Sequence, residues 1–210
     1  MEKGFYTAFE AAWQAYRSGS LPIGASVVNA QGEVVAVGRN QIGCAGDGIN
    51  PLAAHQLAHA EANAILQLSE EGMPNLHPDI RQYTLYAVME PCPFCFGAVV
   101  MGSIRNVKFA ARDGHGGATS LNDASAYIRS KKIKVEGPFP GLERWEIAML
   151  SCFELEHRAS KYLLDVWRKD CPSGVSLGER MHKDRILYEY ALSEEPFAAV
   201  LDYMVKHSVP

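Results

Sequence analysis

A chain of 210 residues, 48% hydrophobic and 21% charged, has the make-up of one globular domain with room for a full core. Its 20 Lys and Arg against 24 Asp and Glu leave a formal charge of −4, a balance that does not demand a polyanionic partner. No run approaches the roughly 20 apolar residues needed to span a bilayer, and Met1-Glu2-Lys3-Gly4 opens no signal-peptide core, so a cytoplasmic protein with no membrane partner is expected.

In chain order, Phe5, Phe9, Ala12, Trp13 and Tyr16 recur at helical spacing, which predicts an amphipathic helix over 5–17, stopped by Ser18-Gly19-Ser20. Residues 25–29 and 34–38 read as two strands of a hairpin, with Gly32 free to take a positive φ in the turn. The stretch 41–58 is rich in glycine and small residues and reads as a loop, long enough to suggest a functional role. A helical stripe of Ala60, Ala64, Ile65 and Leu68 follows over 59–68, ended by Glu71-Gly72-Met73-Pro74. Residues 83–89 are a strand by aromatic and β-branched content. Pro91 is expected to open a helix running to Met101. A strand over 107–111 leads into the glycine-rich Asp113-Gly114-His115-Gly116-Gly117.

A short helix near 121–129, a strand near 133–135 and helix from Pro140 to about Arg168 complete the first part. Around the helix-to-strand edge, Arg129, Lys131, Lys132 and Lys134 make a local basic cluster, read here as a solvated face. Cys171-Pro172-Ser173-Gly174 marks a break, and 177–190 and 197–207 read as two further helices. The alternation predicts an α/β protein, three layers α/β/α around one mixed sheet of about five strands. Domain organisation is read as 1–170 for the main domain and 171–210 for a helical C-terminal extension.

Five cysteines, two of them in a CxxC pair, favour metal or redox use over a disulfide framework. The strings His59-Ala60-Glu61 and Pro91-Cys92-Pro93-Phe94-Cys95 supply one imidazole, two thiols and one separate carboxylate. Cys92 and Cys95 are three apart and share one side of a helical first turn, where free N–H groups and the helix dipole favour thiolates. Three protein ligands leave the fourth tetrahedral position on zinc open for water, as in catalytic sites. A structural zinc would need a fourth protein ligand, with Cys44 or His55 of the long loop as candidates. A redox CxxC would leave His59 and Glu61 without a role.

The ordered combination H-x-E…P-C-x-x-C resembles the signature of zinc nucleobase deaminases. Supporting strings are Pro22-Ile23-Gly24-Ala25, Gly38-Arg39-Asn40, Glu90-Pro91-Cys92, Cys95-Phe96-Gly97-Ala98 and Ala111-Arg112-Asp113. Over about 5–165 the chain is similar to the cytidine deaminase-like superfamily, in the branch of tRNA adenosine deaminases and guanine or nucleoside deaminases. The resemblance implies a cytidine deaminase-like fold, one zinc per subunit held by His59, Cys92 and Cys95, and Glu61 as the catalytic proton shuttle. It implies Asn40 and Asp113 as substrate contacts, and a homodimer or higher homo-oligomer.

The substrate expected is a small molecule, a free base or non-cytidine nucleoside with a purine favoured. The acidic balance supports this, as do the absence of a basic C-terminal tail and the long loop before His59. Wobble adenosine of tRNA is the alternative, supported by Ala111-Arg112-Asp113 and Gly117-Ala118-Thr119-Ser120-Leu121. A zinc-stabilised binding module without catalysis is the third reading. Glu90 is expected to hydrogen-bond structurally, and Phe96 to pack in the core.

Overall fold

The structure is a computed structural model and describes residues 1–68, 79–158 and 160–208. Its centre is a five-stranded mixed sheet in the order β2-β1-β3-β4-β5. The strands are β1 (Gly24–Val28), β2 (Val34–Arg39), β3 (Thr84–Met89), β4 (Asn106–Ala111) and β5 (Lys134–Glu136). β1 pairs antiparallel with both β2 and β3, whereas β3, β4 and β5 run parallel. All five residues of β1 are buried, as a strand covered on both faces requires.

One face carries α2 (Ala60–Leu66) and α3 (Pro93–Met101). Ala60, Ala64, Phe96, Val99 and Val100 bury there against Ala25, Val27, Leu85 and Val107. The other face carries α1 (Lys3–Arg17) and α5 (Pro140–His157). Phe5, Phe9, Trp13, Met149 and Phe153 form its core with Val88 and Ala110. Two glycines set how closely helix meets sheet. A Cβ at Gly24 would strike the backbone of α1 at Ala8 and Ala12, and one at Gly38 the backbone of α2 at Ala60 and Ala64. The expected three layers are present, and among the described residues no helix is long and apolar enough to cross a membrane.

Several boundaries differ from the sequence-based expectation. Cys92 is the N-cap of α3 and Pro93 its first residue, so Pro93 rather than Pro91 opens the helix. The segment near 121–129 divides into a 3-10 turn, Thr119–Asp123, and α4, Ala126–Ser130, because Ser125 caps α4 through the Ile128 N–H. The helix expected over 140–168 is two. α5 ends at His157, and α6 (Lys161–Asp170) starts afresh with the Ser160 side chain accepting from the Leu163 N–H. The helix expected over 177–190 also divides, into α7 (Pro172–Lys183) and α8 (Ile186–Leu192), with Arg185 at φ 54° between them. The terminator Glu71-Gly72-Met73-Pro74 lies outside the described residues.

The last helices cover α1 and α5 from outside. Leu177 and Met181 of α7, Leu187 of α8, and Phe197, Val200 and Met204 of α9 (Phe197–Lys206) join the same buried cluster as Phe9 and Trp13. The Trp13 indole donates to the Glu195 carbonyl at 2.9 Å, so the ring's polar edge is satisfied as well as its faces.

Candidate metal centre

His59 is the N-cap of α2, in extended backbone conformation, and Cys92 is the N-cap of α3. Both helices therefore start at one point, and Cys95 enters one turn into α3. His59 Nδ1 lies 3.5 Å from Cys92 Sγ and 3.5 Å from Cys95 Sγ. Zinc bonds of about 2.3 Å to sulfur and 2.0–2.1 Å to nitrogen at a tetrahedral angle put S and N about 3.6 Å apart. The donor set thus fits Zn²⁺ without rearrangement. Among the described residues these three are the only group with metal-ligand character, and neither Cys44 nor His55 joins it.

The thiols are electrostatically unequal. Hydrogen bonding from Cys95, and next from His59, outweighs burial and brings Cys92 down to about 4. Cys95 is pushed up by its hydrogen bond with Cys92 and by burial. His59 is raised, chiefly by its bond to Cys92. One thiolate is thus already favoured at neutral pH, the form a metal needs.

Glu61 is 4% exposed and stands outside the three-donor group. Burial raises its carboxyl to about 6, with the Cys92 charge adding to the rise and the His59 charge and a hydrogen bond from Cys95 opposing it. Extended geometry at His59 followed by helix at Ala60 lets both side chains reach one site without sharing a role. A buried carboxyl beside an open metal position is equipped to move protons.

The other predicted residues, Asn40 and Asp113, are each held by local hydrogen bonds in a turn. Asn40 is buried, and its Oδ1 accepts from Ser20 Oγ at 2.6 Å and from the Ile42 N–H at 3.2 Å. That turn consumes the carbonyl end and fixes the orientation of the amide. Asp113 Oδ1 accepts from the His115 N–H at 3.0 Å, closing the glycine-rich turn. Glu90 has the expected structural role: it accepts from the Thr119 N–H and hydroxyl and, at 3.4 Å, from the Asp113 N–H, so the Asp113 loop is tied to the turn carrying Cys92. Phe96 is buried in the core as expected.

Two residues were not singled out in the sequence. Phe94 is 39% exposed and meets the His59 ring edge-on, with centroids 5.8 Å apart. Asn63, fully buried on α2, pins the long loop: it accepts from Leu52 N–H at 2.8 Å and donates to Leu52 and Arg39 carbonyls at 3.0 and 3.1 Å. Its signal was a lone amide amid the alanines of α2.

Residues 1–111 match the family described as the cytidine and deoxycytidylate deaminase zinc-binding region. The chain belongs to this family. Within this zinc-binding deaminase family, it is similar to the tRNA-specific adenosine deaminase of Bacillus subtilis, 34% identical over 113 residues, 53% of this chain and 62% of that protein. It is similar to the tRNA(Ile)-lysidine synthase of Deinococcus radiodurans, 34% identical over 111 residues, 53% of this chain and 17% of that protein. The matches therefore span less than two thirds of either relative. The solved guanine deaminase from Nitrosomonas europaea shares the fold, with a TM-score of 0.50 at 21% identity over 73% of this chain and 84% of that one.

Proposed function

We propose that this deaminase-family chain is a zinc-dependent hydrolase that removes the exocyclic amino group of a purine-type free base or nucleoside and releases ammonia. The observation that carries the reading is the buried Glu61 carboxyl set beside three donors that leave one tetrahedral position without a protein ligand. When bound, zinc supplies Lewis-acid activation of a water. Glu61 accepts a proton from the attacking water and passes it to a ring nitrogen. A second proton, from the newly added hydroxyl, goes through the same carboxyl to the departing amine. Asn40, through the amide nitrogen that its turn leaves over, and Asp113 are the proposed contacts to the base, with Phe94 at the rim.

Residues 1–170 are taken to carry the chemistry, with 171–210 as the extension that completes the core. A homodimer or higher homo-oligomer is proposed, supported by the exposure of Leu66 on α2 and of Phe94 and Met101 on α3. The cytoplasm is the proposed location.

A second reading, deamination of wobble adenosine in tRNA, is favoured by the 34% identity to the Bacillus relative. The formal charge of −4 favours the small molecule. Ammonia release from zinc-loaded protein, measured on purine and pyrimidine bases, nucleosides, nucleotides and a tRNA anticodon stem, decides between them. Turnover of a free purine at a rate indifferent to salt is expected. Turnover of the RNA alone, falling steeply with ionic strength, selects the second reading. Zinc retained with no ammonia from any substrate overturns both in favour of a binding module.

A further inference from the structure

Among the described residues four cations, Arg39, Lys108, Arg168 and Arg185, have a carboxylate partner within 4 Å. One cleft instead gathers four cations at a single place. Arg81, Arg105, Lys131 and Lys132, with Ser130, line a cavity of about 470 Å³ whose described wall holds no carboxylate. None of the four makes an ion pair among the described residues. The sequence cluster Arg129, Lys131, Lys132 and Lys134 foreshadowed only half of this. The fold adds Arg81, from the 3-10 turn Ile80–Gln82 before β3, and Arg105, from the residue before β4.

Placement follows from the sheet. Arg81, Arg105 and the Lys131-Lys132 pair each precede one of the three parallel strands, so the cleft gathers at their shared N-terminal end. Cys92 follows the opposite end of β3, whose six residues rise about 20 Å. The cleft is therefore separate from the zinc donors.

Two of the cations, Lys131 and Arg105, have side chains held in place. Lys131 Nζ sits 4.2 Å over the Tyr127 ring, Arg105 Nη1 donates to the Ile104 carbonyl at 3.1 Å, and Lys132 takes a left-handed backbone at φ 52°. Arg105 is lowered from its ordinary range by burial and by Arg81 beside it. Concentrating four like charges destabilises the empty cleft, and an anion of matching charge relieves the repulsion.

We propose that this cleft binds a small oligophosphate anion, either inorganic or the phosphate chain of a nucleotide. Each terminal phosphate carries about −1.5 to −2 charges, so two or three linked phosphates balance four cations. Arg81 and Arg105 offer forked donors, and Lys131 and Lys132 point charges. Beyond the cleft, the remaining Lys and Arg are outnumbered by 24 Asp and Glu, a surface that repels an extended nucleic acid.

Calorimetric titration of the zinc-loaded full chain with sodium pyrophosphate and with tripolyphosphate tests this. Saturable binding at one site is expected, weakened about tenfold or more by Lys132→Gln and by Arg81→Gln. Melting temperature and the circular dichroism spectrum are compared for each variant, and Lys169→Gln, on the exposed end of α6, serves as the unaffected control. Absence of binding to both phosphates by correctly folded protein overturns the proposal. So does binding that both cleft variants leave intact. A single-stranded RNA oligonucleotide is the third probe, and its binding more tightly than tripolyphosphate, with the same sensitivity to Arg81→Gln, replaces the small anion with nucleic acid.

Discussion

Asn63 pairs with both backbone groups of Leu52, accepting from its N–H at 2.8 Å and donating to its carbonyl at 3.0 Å. One side chain thereby supplies the long loop with the kind of pairing a neighbouring strand would give. Asn63 also follows His59 by one helical turn, and its backbone N–H donates to the His59 carbonyl at 3.0 Å, the first bond of α2. Loop and metal ligand are therefore anchored to the same turn.

Replacing Asn63 by Ala removes the partner of the Leu52 N–H and of two carbonyls in a part-buried setting. A loss of about 1–3 kcal/mol is expected, read as a lower midpoint in chemical denaturation. Faster amide exchange across residues 41–58 should accompany it. A variant as stable as the parent with unchanged exchange contradicts the anchoring role.

Glu61→Gln should keep zinc, since the carboxyl is outside the donor group. General acid–base help is worth roughly 10²–10⁴-fold, and turnover should fall by that range. Metal content by elemental analysis and ammonia release together check the separation. Cys95→Ala, by contrast, should lose metal and activity in parallel.

Glu146 lies fully buried in α5 with neither carboxyl oxygen hydrogen-bonded among the described residues. Burial holds it well above the ordinary carboxylate range, so the folded protein keeps the proton that the unfolded chain releases. Where the unfolded state binds fewer protons, stability falls as pH rises. The penalty is absent below the unfolded value near 4.5 and grows towards the folded value at up to about 1.4 kcal/mol per pH unit. Glu146→Met should raise the melting temperature at pH 8 and change it little at pH 4. Equal melting curves for parent and variant at pH 8 count against a buried neutral acid.

Gly38→Ala should destabilise by about 1–3 kcal/mol, because its methyl group meets the backbone of α2 rather than a yielding side chain. As α2 carries Glu61 and follows His59, zinc affinity should drop with stability. Competition with a chromophoric chelator measures that drop.

Much of this could be read from the chain alone, for identifiable reasons. Phe5, Phe9 and Trp13 mark α1 because one apolar stripe faces one sheet. The His59, Glu61, Cys92 and Cys95 set is legible because zinc restricts donor type and spacing so narrowly. The splits at Ser160 and Arg185 were hidden, since apolar residues continue at helical spacing across both and only a local cap or a left-handed residue interrupts the backbone. Asn63 and the gathering of Arg81 and Lys132 in one cleft escaped for another reason. Their meaning comes from partners distant in sequence, which periodicity does not register.

Trp13 lies in the stretch that matches the family, yet its indole hydrogen is taken by Glu195, and Phe197 stacks on Phe9 with centroids 5.9 Å apart. The recognisable segment therefore cannot be lifted out as a module. A graft of residues 1–111 into another scaffold, or a chimera exchanging the tail, would wet the aromatic surface that this tail covers. Transplanting the chemistry means transplanting residues 171–208 with it.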